Sequence, residues 1–95
     1  MFVVLLRFSA RNEAAAQHMG EHNRWIQRGF DDGVFLLVGG LEPGLGGAIL
    51  AHGTTAEELR RRVAEDPFVI ADVVTAEILE IAAARADERL DFLLG

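Results

Sequence analysis

The sequence predicts an α+β domain in which a four-stranded antiparallel sheet carries its helices on one face. Three observations predict it. Apolar runs of strand length alternate with segments of helical period in the order β-α-β-β-α-β. Turn residues separate them. No internal linker, low-complexity tract or charge block divides the 95 residues, so the chain reads as a single domain spanning 1–95.

The first strand is Phe2 to Phe8, Phe-Val-Val-Leu-Leu-Arg-Phe, apolar on nearly every residue as expected for a strand buried on both faces. From 12 to 32 the period changes. Ala15, Met19, His22 or Asn23, Ile26 and Phe30 recur at steps of three and four, one helical stripe. Asn12 is placed to be its N-cap, and Asp32-Gly33 ends it because glycine accepts the left-handed conformation that closes a helix. Residues 34–41 and 46–52 form a second and a third strand joined by the turn cluster Glu42-Pro43-Gly44-Leu45. Thr55-Ala56-Glu57-Glu58 matches a capping box opening a second helix from Ala56 to Ala64, with Leu59 and Val63 inward. Asp66-Pro67 stops that helix, because the residue before proline is pushed out of the helical region. Residues 68–71 have room for one short turn, 73–82 make the fourth strand, and Leu90, Leu93 and Leu94 give 87–94 a helical spacing. The order is the split βαβ, ferredoxin-like arrangement with a C-terminal helix.

Two helices cover only one face of such a sheet, yet the first strand is apolar on both faces and the second nearly so. The expected solution is a homodimer pairing sheet against sheet, as in dimeric α+β barrels. A C-terminal tail folded over its own sheet is the alternative. With 51% hydrophobic residues in so short a chain, a partner would also add to a modest core.

Composition removes several function classes. There is no cysteine, hence no disulfide framework, thiolate metal site or cysteine nucleophile. Acidic residues outnumber basic ones 15 to 9, and the formal charge of −6 repels a phosphate backbone, so nucleic acid is not an expected partner. No apolar run approaches the ~20 residues of a membrane span, and Met1 leads directly into strand-like sequence, so a cytoplasmic protein is expected.

Few residues can carry acid–base chemistry. His18 and His22 lie four apart on one helix, a spacing that suits two ligands of one metal, but no third ligand or His-Glu-x-x-His pattern accompanies them, and no metal is expected. His22 shares the apolar stripe, where a histidine is usually a satisfied core residue. To be more, it needs an orienting acid and a cavity. Asp66, where the second helix stops against Pro67, is the best candidate acid; its plain alternative is a helix-terminating Asp-Pro without a partner. Imidazole changes charge near neutral pH, and a carboxylate on one ring nitrogen fixes the tautomer and stabilises the imidazolium formed on proton abstraction. Gly44-Leu45-Gly46-Gly47 lies in a hairpin turn and lacks the strand-to-helix context of a phosphate loop. With no dinucleotide fingerprint either, the expected chemistry is cofactor-free proton transfer. Arg7, ending the first strand, is placed to bind an anionic substrate group, with a solvated strand end as the alternative.

His22, followed eleven positions later by Gly33 in Asp31-Asp32-Gly33 and then by the strand Val34-Phe35-Leu36-Leu37-Val38-Gly39-Gly40-Leu41, together with Asp66-Pro67-Phe68 after the second helix, resembles the YciI family (YCII-related domain). The resemblance runs from the first strand to the fourth. It implies a ferredoxin-like dimer whose cleft holds one histidine and one aspartate, here His22 and Asp66, as a catalytic dyad. Some members are associated with dehydrochlorination of chlorinated hydroxyquinols, and others serve as accessory domains. The wider superfamily resembles muconolactone isomerases and small monooxygenases acting on aromatic-derived metabolites. Two positions depart from the pattern: Glu21 stands where many relatives have a small residue, and Trp25 is bulky on the same helix face.

Two functions fit these residues. One is a lyase or isomerase, with His22 as base and Asp66 as orienter, acting on a small cyclic or aromatic-derived acid near Trp25, Phe68 and Phe8. The other is a non-catalytic ligand-binding or regulatory dimer in which His22 only hydrogen-bonds a metabolite. The dyad requires a ring nitrogen of His22 within hydrogen-bond reach of an Asp66 oxygen, beside a concave pocket.

Overall fold

The computed structural model describes residues 1–94. Strands β1 (Phe2–Phe8), β2 (Phe35–Leu41), β3 (Gly46–Ala51) and β4 (Val74–Glu80) form one open antiparallel sheet of order β2-β3-β1-β4. Helix α1 (Ala15–Asp31) connects β1 to β2; α2 (Ala56–Ala64) and the single turn α3 (Pro67–Ile70) connect β3 to β4. Each crossover skips one strand, a topology compatible with the ferredoxin-like fold.

Alternation along the strands divides the two sheet faces. Phe2, Val4 and Leu6 of β1 are buried under the helices. Val4 pairs with Ile49 on one side and Ile78 on the other, and Phe2 with Ala51, so these side chains form one apolar layer. Leu59 and Val63 of α2, Phe68 of α3 and Trp25 of α1 close it from above. The opposite face presents Val3, Leu5 and Leu50, half-buried, beside exposed Leu37 and Leu79.

Helix α1 meets the sheet with a different stripe from the expected one. His22, Trp25 and Gly29 are buried and Ile26 is half-buried, while Met19 and Phe30 are exposed. The phase follows from one long-range fit. A side chain at Gly29 would occupy the space of the Phe35 ring, so that ring packs on the bare helix backbone, and Trp25 meets it edge to face at 5.2 Å. Trp25 also donates its indole N–H to the Arg62 carbonyl at 3.0 Å, fastening α1 to the end of α2.

The helix ends show where local chemistry governs. Gly33, at φ +74°, closes α1 with paired bonds from Gly33 N–H to the Phe30 carbonyl and Val34 N–H to the Gly29 carbonyl, a Schellman arrangement. Thr55 Oγ1 accepts from the Glu58 N–H at 3.1 Å and donates to the Glu58 carboxylate at 3.2 Å, a variant of the expected box. Asn12, expected as the N-cap of α1, instead opens a 3-10 turn, Asn12–Ala14, and α1 starts after it without a side-chain cap. The Ser9 hydroxyl takes the Arg11 N–H at 2.9 Å and tightens the chain one turn early. The fourth strand is shorter than 73–82 because β1, its ladder partner, begins at Phe2; a last pair of bonds joins Met1 and Ile81. The tail holds a kinked 3-10 helix, Glu88–Leu93, in place of the expected α-helix, since so short an unpacked segment does not sustain one. Phe92 meets His52 edge-on at 5.3 Å, while Leu90 and Leu94 stay exposed. Hydrogen bonds from the Arg89 side chain and backbone hold the Asp87 carboxyl below the ordinary carboxylate range, so this cap is lost only as pH falls beneath that range.

Two glycines of α1 separate packing from propensity. Gly29→Ala should destabilise by about 1–3 kcal/mol, because the new methyl group must displace Phe35. At exposed Gly20 the nearest atom is 3.8 Å away, so Gly20→Ala should stabilise by about 0.5–1 kcal/mol through helix propensity. Thermal melts of both variants check this; opposite shifts, the larger at Gly29, are the expected pattern.

Candidate functional site

The site begins with the corner after α2. Asp66 is extended, φ −60° and ψ 124°, as a residue before proline must be, and Pro67 supplies the first helical residue of α3. The Asp66 side chain caps that turn, its Oδ1 accepting from the Phe68 N–H at 3.0 Å. The carboxylate is fully buried, because α1 covers the corner. The same Oδ1 lies 2.7 Å from His22 Nδ1. Oδ2 is buried without a hydrogen-bond partner.

His22 is nine-tenths buried, and three groups fix its ring. Asp66 holds Nδ1. Phe68 stacks on the ring at 3.9 Å with an interplanar angle of 5°, and Trp25 lies 5.9 Å away at 24°. A carboxylate in its ionised form only accepts hydrogen bonds; facing that form, Nδ1 is the donor and a neutral ring carries its lone pair on Nε2. No described residue hydrogen-bonds Nε2. In that tautomer the ring offers an acceptor for a proton at a fixed place, with the Asp66 carboxyl behind it.

His22 lines a cavity of about 350 Å³. Met19, His22 and Asn23 of α1 form its roof, Leu6 and Phe8 of β1 and Val74 of β4 its walls, with Phe68 behind. Along β2 and β3 it is bounded by Gly39, Gly40, Gly46 and Gly47. A second cleft, about 380 Å³, lies toward the other end of α1 among Arg28, Asp32, Thr54, Glu58 and Arg62. Its Arg62 is paired with Asp32 at 2.9 Å, and it contains neither His22 nor Asp66.

Of the residues singled out in the sequence, the structure brings His22, Asp66, Phe68 and Phe8 together. Trp25 is not at the cavity: it is core, with its one polar atom bonded to Arg62. Arg7 is on the wrong face. Strand alternation sends it opposite to Leu6 and Phe8, where it pairs with Glu77 at 2.6 Å, half exposed. His18 is half-buried on α1, and among the described residues no group of three or more His, Asp or Glu side chains is arranged to hold a metal ion. Met19, Asn23 and the strand glycines were not read as site residues. The glycine pairs flanking the hairpin were the available signal, but they look like turn chemistry until the strands are aligned. No protein-family model matches the chain, and no curated protein matches it.

Two substitutions at one position test the corner. Asp66→Ala removes both the His22 partner and the α3 cap and should cost about 2–4 kcal/mol in chemical denaturation. Asp66→Asn keeps an acceptor oxygen for both bonds and should cost less than half as much. Equal losses would contradict the double role of Oδ1.

Proposed function

We propose that the protein is a YciI-like lyase or isomerase that moves a proton on a small cyclic or aromatic-derived molecule without a cofactor. The observation that carries this reading is the 2.7 Å contact between His22 Nδ1 and Asp66 Oδ1 at the wall of the cavity. Nε2 takes a proton from a carbon or hydroxyl of the bound ring. Asp66 keeps the imidazole in the tautomer that can accept it and stabilises the imidazolium that results. In an isomerisation the proton returns from Nε2 to a different atom of the same molecule. In an elimination the electron pair of the broken C–H bond forms a double bond as halide departs and the proton is later released to solvent; where a hydroxyl is the leaving group, Nε2 delivers the same proton to it and water departs. A positioned general base of this kind contributes about 10²–10⁴-fold to rate.

The same reading includes a homodimer. Leu37 and Leu79 are 54% and 45% exposed on the sheet face opposite the helices, beside half-buried Val3, Leu5 and Leu50. An apolar sheet surface of this kind is stable in water when a second one covers it. Two copies stacked through these faces bury the leucines and leave both cavities on the outer, helical layers.

A screen for halide release and tautomerisation over small hydroxylated aromatics and lactones tests the chemistry. His22→Gln should lower turnover about 10²–10⁴-fold while leaving the fold intact by circular dichroism. Turnover that survives the substitution would remove His22 from the chemistry, and binding without turnover by any of these compounds would make the cavity a ligand-binding site alone. Light scattering tests the assembly: the wild type should be a dimer at micromolar concentration and Leu79→Glu a monomer. A monomeric wild type would contradict the sheet-to-sheet arrangement.

A further inference from the structure

The cavity's floor is made of backbone. Gly40 of β2 pairs with Gly47 of β3, and Gly47 pairs with Leu6 of β1, so all three share the helix-facing side of the sheet. Glycine inside a strand forfeits side-chain packing and is entropically costly, which calls for a physical reason at each position. At Gly46 the reason is the backbone itself: φ is +135°, and a Cβ would run into the Leu6 carbonyl. Gly40 and Gly47 have no such need. Neither has a left-handed φ; a Cβ on Gly40 would have Glu42 Oε1 as its nearest neighbour at 3.8 Å, and one on Gly47 the Gly39 carbonyl at 3.5 Å, both ordinary contacts. What their bareness creates is the space in front of His22.

We infer that Gly40 and Gly47 set the specificity of this cavity by giving it a flat backbone floor for an uncharged planar ring. The assignment deepens the proposed function and rests on it. Shape is one support: an apolar cavity of ~150 Å³ already takes up benzene, so about 350 Å³ leaves room for ring substituents. Charge is the other. Among the described residues no arginine lines the cavity, a carboxylate, Glu42, stands beside its Gly40 edge, and Arg7 is committed to Glu77 on the far face. A carboxylate or phosphate entering this site would be desolvated with no cation to meet it. A phenol or enol has what the site can use: an apolar face for Leu6, Phe8 and Phe68, and a polar hydrogen for His22 Nε2.

Titration of ¹⁵N-labelled protein with phenol and with benzoate, at neutral pH, tests this. Phenol should bind saturably and shift the Gly40, Gly47 and His22 amides, and benzoate should bind at least ~10-fold more weakly, because its charge must be desolvated. Gly40→Val and Gly47→Val should each weaken phenol binding ~10-fold or more while melting at or above the wild-type temperature, since a β-branched residue favours a strand. Gly47→Ala, the milder change, should fall between. Benzoate binding as tightly as phenol, or phenol failing to bind the wild type, would overturn the uncharged-ring assignment. Phenol binding that is lost in His22→Gln but unchanged in both valine variants would overturn the glycine floor and leave the His22 reading standing. Phenol binding unchanged in His22→Gln would instead remove the role of His22 in the site.

Discussion

One carboxylate oxygen holds the working end of this molecule together. Asp66 Oδ1 receives Nδ1 of His22 from the middle of α1 and the N–H of Phe68 from α3, so one atom joins the first crossover helix to the end of the second. The corner exists because proline forces its predecessor out of the helix, and the freed aspartate then caps the next turn. Phe68, the residue whose N–H is capped, is also the one whose ring stacks on His22. Capping, chain reversal and orientation of the imidazole are thus one local structure.

This arrangement does not serve stability first. A buried ion or polar pair is often no more stabilising than well-packed apolar side chains of the same volume, and here Oδ2 is left without a partner. The glycine floor breaks a second rule, placing two poor strand formers opposite one another one pair in from the hairpin turn. The glycines line the cavity, and the buried carboxyl reaches it through His22. Departures of this kind concentrate at functional sites.

Much of the fold was legible because periodicity and end signals are local. The strand runs, the Thr55 box, the Gly33 stop and the Asp66-Pro67 break are each written in a few adjacent residues. The phase of α1 was not, since it depends on Phe35 packing into the gap left by Gly29, a contact between separate elements. That error put Met19 and Phe30 inward and made Trp25 a cavity residue. The misplacement of Arg7 was avoidable: alternation alone sets it opposite to Leu6 and Phe8. The meeting of His22 with Asp66 lies 44 positions apart in sequence, and nothing in the spacing of either residue encodes it. Family resemblance pointed to the pair; the geometry stands independently of that resemblance.

The central claim is that Asp66 fixes His22 as the tautomer with a proton on Nδ1 and a free lone pair on Nε2. Long-range ¹H–¹⁵N correlation spectra of the imidazole, recorded at a pH where the ring is neutral, test it directly. The account predicts a protonated Nδ1 and a bare Nε2 in the wild type, with that preference weakened in Asp66→Asn. A neutral ring protonated on Nε2, or a tautomer mixture indifferent to the substitution, would contradict it.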